Sequence, residues 1–253
     1  MLDAHFHRRQ YDTFLGGDGK EIRFVGVHPW QTDAPDAAAR LAALPGALAA
    51  DPWLGVGEIG LDRLRSRTIS DLQRQALARQ LALAAEFRRP VVLHGAKCWG
   101  EVVQACRPYR ERIPAFFFHG FSRSTGLLPD IVSLNGFISV GPALLNDHAV
   151  NYREMAALLP FDRLLVETDL PDDDPAVNRA EVLSGIYSAL AELRGLSQPE
   201  LLSQVVANAE RFCRFGPGDE AARSLDIPGC AAAGICYTIS TRGESPELRT
   251  TDA

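Results

Sequence analysis

The chain has no apolar run of the roughly 18 residues that a membrane-spanning helix requires. It also has no CxxC pair. Its five cysteines, Cys98, Cys106, Cys213, Cys230 and Cys236, are odd in number and irregular in spacing, which argues against a disulfide scaffold and fits a reducing compartment. Positive charge is not in excess. A formal net charge of −6 excludes a generally basic nucleic-acid binder, so an anionic ligand must be met by a local basic patch or by metal. Glycine-rich phosphate loops are missing as well: neither GxGxxG nor GxxxxGKS/T follows any strand-like run. The N-terminus carries Asp3 and no basic-then-apolar segment, so it does not read as a signal peptide. These absences lead to the expectation of a soluble, cytoplasmic protein with no obligate protein partner.

What is present is an alternation. Short apolar, β-branched or aromatic runs occur at 2–6, 22–27, 54–60, 90–95, 115–120, 136–141 and 163–169. Most are continuous rather than alternating, as suits a parallel sheet buried on both faces. Helical patterns lie between them, at 36–50, 69–89, 101–109, 149–159, 178–195 and 199–215. Pro45 and Gly46 are expected to break the first of these. The class is α/β, and the order of elements argues for a (β/α) barrel or a doubly wound sheet. The missing glycine-rich loops weigh against the nucleotide-binding forms of the latter, and the expectation is a TIM-like (β/α) barrel over 1–215, abbreviated near the N-terminus to about seven strands. Gly16, Gly17 and Gly19 are expected to form a short loop crossing the place of the missing unit. From Gly216 periodicity fades, and 216–253 reads as a loosely packed or disordered tail.

The polar residues fall in a pattern. His5 and His7 end the first run, His28 the second and Glu58 the third, while His94, His119 and Asp169 end later ones. Five of the six histidines lie at strand ends; His148 sits in an ordinary loop. In a barrel these C-terminal ends converge on one mouth. Asp3, His5 and His7 share one face of their strand. A cluster of neutral nitrogen donors and carboxylates in one concavity is what a divalent metal centre needs. His28, just before Pro29, has two open readings, as a ligand or as a brace under the site. Beyond the ligand positions stand Arg8, Arg9, Arg63, Arg65, Arg67, Lys97 and Arg123, a basic rim in an acidic protein. Guanidinium groups grip phosphate bidentately, so Arg8, Arg63, Lys97 and Arg123 are candidate substrate contacts. Trp30 and Trp99, also past strand ends, are candidates for stacking on a base or for packing.

The segments DAHFH, GVHPW, GEIGLD, PVVLH, FFFHGFS, ISVG and LLVETDLP, in this order, resemble the TatD family of metal-dependent deoxyribonucleases, within the amidohydrolase-like barrel superfamily. The resemblance runs from about residue 2 to about 215 and includes ANAERF at 207–212. It implies two divalent ions, Mg²⁺, Mn²⁺ or Zn²⁺. His5, His7 and Asp169 would hold one, Glu58 would bridge, and His94 with His119 would complete the second. Such a pair ionises water near neutral pH and neutralises phosphoryl oxygens. Glu58 and Asp169 would then be catalytic, Asp169 by orienting and deprotonating the water. Asp3 is expected to partner an imidazole N–H and His28 to brace the site. The implied substrate is single-stranded DNA or another phosphodiester, attacked from an end.

Three features depart from the family pattern. Ala96 stands where an arginine is usual, with Lys97 one step later; the segment between His7 and His28 is shorter; and an acidic run, Asp172–Asp174, follows ETDLP. These leave a second reading on the same metal barrel, an amidohydrolase or lactonase or a hydrolase of small phosphoesters. A third is a binding protein whose barrel has lost catalysis, against which the full set of ligand types argues.

Overall fold

The computed structural model describes residues 1–8, 12–17, 20–65, 67–122, 125–171, 176 and 178–215. Arg9, Gly19, Arg123, Asp172–Asp174 and the expected tail at 216–253 lie outside them.

One sheet carries eight strands in chain order: β1 (Asp3–Arg8), β2 (Asp12–Gly17), β3 (Lys20–Val25), β4 (Gly55–Asp62), β5 (Val91–Ala96), β6 (Phe116–Phe118), β7 (Gly136–Val140) and β8 (Leu164–Val166). The expectation of seven strands is therefore corrected. Seven run in one direction, and β2 enters between β1 and β3 antiparallel to both. Its Gly16 and Gly17 suggested a loop, but the chain there is a strand: Leu15 pairs with Ile22 and Gly16 with both Glu21 and Asp3. The physical reason is that ladder bonds on both sides override the low strand preference of glycine. Thr13 and Leu15 bury their side chains toward the protein, a period of two that two glycines cut short.

The sheet closes through the segment that follows β8. Asp169 N donates to His5 O at 3.0 Å and His7 N to Leu170 O at 3.1 Å. The buried Asp3 carboxylate secures this seam, accepting from Thr168 N (3.0 Å), Thr168 Oγ1 (2.7 Å) and Arg179 Nη1 (2.9 Å). At the far end Phe212 stacks on Phe24 and meets Phe117 and Phe137 edge-to-face, at centroid distances of 5.6–5.9 Å. Phe117 also meets the His5 ring, so the aromatic plug lies directly beneath the histidines.

The outer layer comprises α1 (Ala37–Ala50), α2 (Asp71–Glu86), α3 (Trp99–Cys106), α4 (Leu128–Ser133), α5 (Val150–Leu158), α6 (Arg179–Arg194) and α7 (Gln198–Phe212). The first does not break at Pro45 as expected. Leu44 and Leu48 are buried either side of the proline, so packing holds both halves in line. Helix α2 starts on a Ser70 cap, whose Oγ accepts from Gln73 N, and buries two glutamines in its apolar stripe. Both serve the mouth of the barrel. Gln80 brackets Val27, with Oε1 accepting from its N–H (2.7 Å) and Nε2 donating to its carbonyl (3.1 Å), one residue before His28. Gln73 Oε1 accepts from Asp62 N at 3.0 Å. None of the described helices is long and apolar enough to cross a membrane.

Candidate metal centre

Glu58 is the middle of the site. It sits on β4 next to a point where the chains pass very close: a Cβ at Gly60 would lie 1.9 Å from His94 O. Only glycine permits that approach, and the resulting register pairs Gly60 with His94 and brings Glu58 beside the His94 ring. Glu58 Oε1 lies 2.7 Å from His119 Nε2, 2.8 Å from His94 Nδ1 and 3.1 Å from His28 Nε2. Its Oε2 faces His5 Nε2 at 3.5 Å and His7 Nε2 at 4.0 Å. On the far side, Asp169 Oδ1 is 3.0 Å from His7 Nε2 and 3.4 Å from His5 Nε2. Asp169 takes φ +55°, a left-handed conformation that Asp tolerates and that turns its carboxylate into the mouth. The structure thus brings together His5, His7, Glu58, His94, His119 and Asp169, as the sequence led one to expect.

The donor set fits divalent cations. The facing nitrogens of His5 and His7 are 3.3 Å apart, and those of His119 and His94 are 3.4 Å apart. Lone pairs so placed repel one another unless a proton or a cation lies between. Among the described residues, three groups have their ligand atoms within 4.8 Å of one another: His5 with His7 and Glu58, His5 with His119 and Asp169, and His28 with Glu58 and His94.

Hydrogen bonding separates the roles of the rings. His28 Nδ1 accepts from Trp30 N at 3.1 Å, so a neutral His28 carries its proton on Nε2 and donates it to Glu58. That is the geometry of a brace on Glu58. His94 presents Nε2 to Asp62 Oδ2 at 2.9 Å and leaves Nδ1 facing the centre. The remote nitrogens of His5, His7 and His119 are buried without a hydrogen-bond partner, and His119 Nδ1 is 4.0 Å from Glu167 Oε2. Asp3 corrects an expectation: its Oδ1 accepts from the backbone N–H of His5 at 3.3 Å, not from an imidazole. The seam of the barrel takes up that carboxylate, which Thr168 and Arg179 also engage.

Two carboxylates were missed in the sequence. Asp62 was hidden inside GEIGLD as the end of an apolar strand, yet it is fully buried and takes four donors: His94 Nε2, Trp30 Nε1 and the N–H groups of Leu64 and Arg65. Glu167, in ETD, is also buried and accepts from Gly120 N at 2.7 Å. A charged residue at or just past the end of an otherwise apolar strand was the available signal for both.

The field of the site follows from these contacts. Burial would lower His5, but Asp169 and Glu58 outweigh it and hold the imidazole well above its ordinary range. His94 is likewise desolvated, yet Asp62 and Glu58 raise it to about 9. For His119 and His28 burial wins over Glu58 and the shift is downward. Burial opposes ionisation of Glu58, but His119, His28 and His5 hold it well below the carboxylate range, and His5 and His7 do the same for Asp169. Glu167 is pushed up to about 8, because burial, with the Asp169 charge adding to it, outweighs the lowering by His5, Ser139 and the Gly120 N–H.

The expected phosphate rim is only partly at the mouth. Arg8 forms a two-pronged ion pair with Glu21, and Arg63 pairs with Glu101. Lys97 is exposed at a left-handed turn with φ +57°. Arg123 falls outside the described residues. Trp99 is buried against Phe118 and Phe121, so it packs. Trp30 lies at the site itself, with 40 % of its surface exposed.

A family model described as TatD related DNase matches residues 16–214. A protein of Erwinia tasmaniensis named 3′-5′ ssDNA/RNA exonuclease TatD is 34% identical over 205 residues, covering 74% of this chain and 76% of its own. The uncharacterized metal-dependent hydrolase YabD of Bacillus subtilis is 27% identical over 197 residues, 76% of either chain. Among solved structures, the TatD homologue YjjV of Escherichia coli superposes with a TM-score of 0.65 at 28% identity, over 75% of each chain.

Proposed function

The chain belongs to the TatD related DNase family, whose model matches most of its length, and from that premise we propose that it is a 3′-5′ exonuclease of single-stranded nucleic acid running on two divalent ions. As a member of that family it is a metal-dependent hydrolase. The direction and the substrate are taken from what the named relatives do.

The observation that carries the reading is Glu58, a buried carboxylate with one oxygen toward His94 and His119 and the other toward His5 and His7. His5, His7, Asp169 and Glu58 would hold one ion; Glu58, His119 and His94, through Nδ1, the other. Ions bound there would supply a water ionised near neutral pH and positive charge opposite the phosphoryl oxygens. The chain's own groups do the rest. Asp169 is the one carboxylate of the set with substantial exposure, so it meets the attacking water. Its carboxylate takes the proton of that water as the new P–O bond forms, and returns it to the 3′ oxygen as the old P–O bond breaks. His28 fixes Glu58 from below, and the aromatic plug under the histidines keeps bulk water out from that side.

The test is a labelled single strand. Purified protein with Mg²⁺ or Mn²⁺ is expected to shorten it from the 3′ end, and Glu58→Gln to lower the rate by at least about a thousandfold, as for loss of a metal-bridging group. Turnover of lactones or amides with intact DNA would move the protein to the amidohydrolase reading.

A further inference from the structure

Trp30 is the exposed large aromatic among the described residues, and it stands against the metal centre rather than on a remote face. Its ring meets His28 edge-to-face at 4.8 Å and His94 at 5.9 Å. The ring is fixed in place. Nε1 donates to Asp62 Oδ2 at 2.7 Å, the same oxygen that receives His94 Nε2. Asp62 Oδ1 meanwhile accepts from Leu64 N (2.6 Å) and Arg65 N (2.8 Å), folding the loop after β4 back over the indole. That loop sets the Arg65 guanidinium 5.5 Å from the Trp30 centroid, and Leu64 beside it is 61% exposed. One buried carboxylate therefore positions a metal-site histidine, a half-exposed indole and a cation lying on it.

This arrangement has a cost if it is only structural. An indole left 40 % exposed gives up burial that a smaller side chain would not forfeit. Its polar edge is already satisfied, so what it offers a ligand is a flat π-surface with a cation to cover the other side. Among the parts of a nucleic acid, only the base has a matching flat face; sugar and phosphate have none.

Resting on the nuclease reading above, we propose that Trp30 and Arg65 form the subsite for the nucleobase next to the scissile phosphate. The base displaces Arg65 from the indole, stacks on Trp30, and is covered on its outer face by the guanidinium. Recognition by stacking is tolerant of base identity, so the subsite demands a base without selecting one. It differs from the phosphate rim, whose Arg8 and Arg63 are already engaged by carboxylates.

The experiment compares single strands that end in a normal nucleotide with strands that end in an abasic one. With wild-type protein the abasic end is expected to raise KM on the order of tenfold with kcat little changed. Trp30→Ala is expected to raise KM by a similar factor on the normal end and to have no further effect on the abasic end. Trp30→Phe, which keeps a ring but loses the bond to Asp62, is expected to retain most of the binding. A second readout uses no turnover: indole emission is quenched by dAMP and not by 2-deoxyribose 5-phosphate, and the dAMP response is lost in Trp30→Phe. An unchanged KM for abasic ends with wild-type protein overturns the proposal whatever the variants do. So does a Trp30→Ala defect confined to kcat and equal on both strands, which marks a purely structural role. If no strand is cut at all, the nuclease reading fails, and the quenching comparison still decides the stacking.

Discussion

At the scale of single residues, the site is governed by which nitrogen of each ring faces inward. His94 turns Nδ1 to the centre because Asp62 holds Nε2 from behind, and an outer carboxylate of this kind both orients an imidazole and raises its basicity. Asp62→Ala is expected to lower affinity for the ion held by His94 and His119 by about 10- to 100-fold, read by calorimetric titration of metal into chelator-stripped protein. Affinity on the side of His5 and His7 is expected to change little, since Asp62 makes no contact there. Equal weakening of both sides would show that Asp62 acts on the fold and not on His94. Asp62 was illegible beforehand because sequence shows charge and position but not burial. His28 was open for the same reason: ligand and brace differ only in what its second nitrogen does, and the Trp30 N–H on Nδ1, which sequence does not show, is what favours the brace.

At the scale of elements, much of the layout was legible because its causes are local. Continuous apolar runs marked β4 to β8, and a Ser cap with a 3.6-residue stripe marked α2. Strand β2 was not legible, since DTFLGG takes its extended form from partners on both sides, and pairing across the sheet is not written in the segment itself. Pro45 misled similarly: buried Leu44 and Leu48 supply from outside what the proline removes from within. The junction of β4 and β5 is the most exacting place in the barrel. Gly60→Ala would put its methyl carbon 1.9 Å from His94 O, a backbone atom that cannot yield without parting the strands. It is expected to cost about 3 kcal/mol and to move Glu58 away from His94. Urea denaturation of the metal-free protein checks the first effect and metal titration the second; a variant with wild-type stability would contradict this account of the junction.

At the scale of the whole molecule, seven co-directional strands and one reversed strand deliver donors from distant parts of the chain to one rim, over an aromatic plug formed where α7 ends. The large fully buried side chains are almost all apolar, so burial of apolar surface rather than ion binding is the main support of the scaffold. Fold and site are therefore separable, and the ion content of the purified protein tests the central claim most directly. Elemental analysis, after reconstitution with Mn²⁺ or Zn²⁺ and gel filtration, is expected to find two ions per chain in the wild type and a marked loss in Glu58→Gln, with far-UV circular dichroism unchanged between them. A wild-type chain that retains no ion, or a Glu58→Gln chain that retains both, would contradict it.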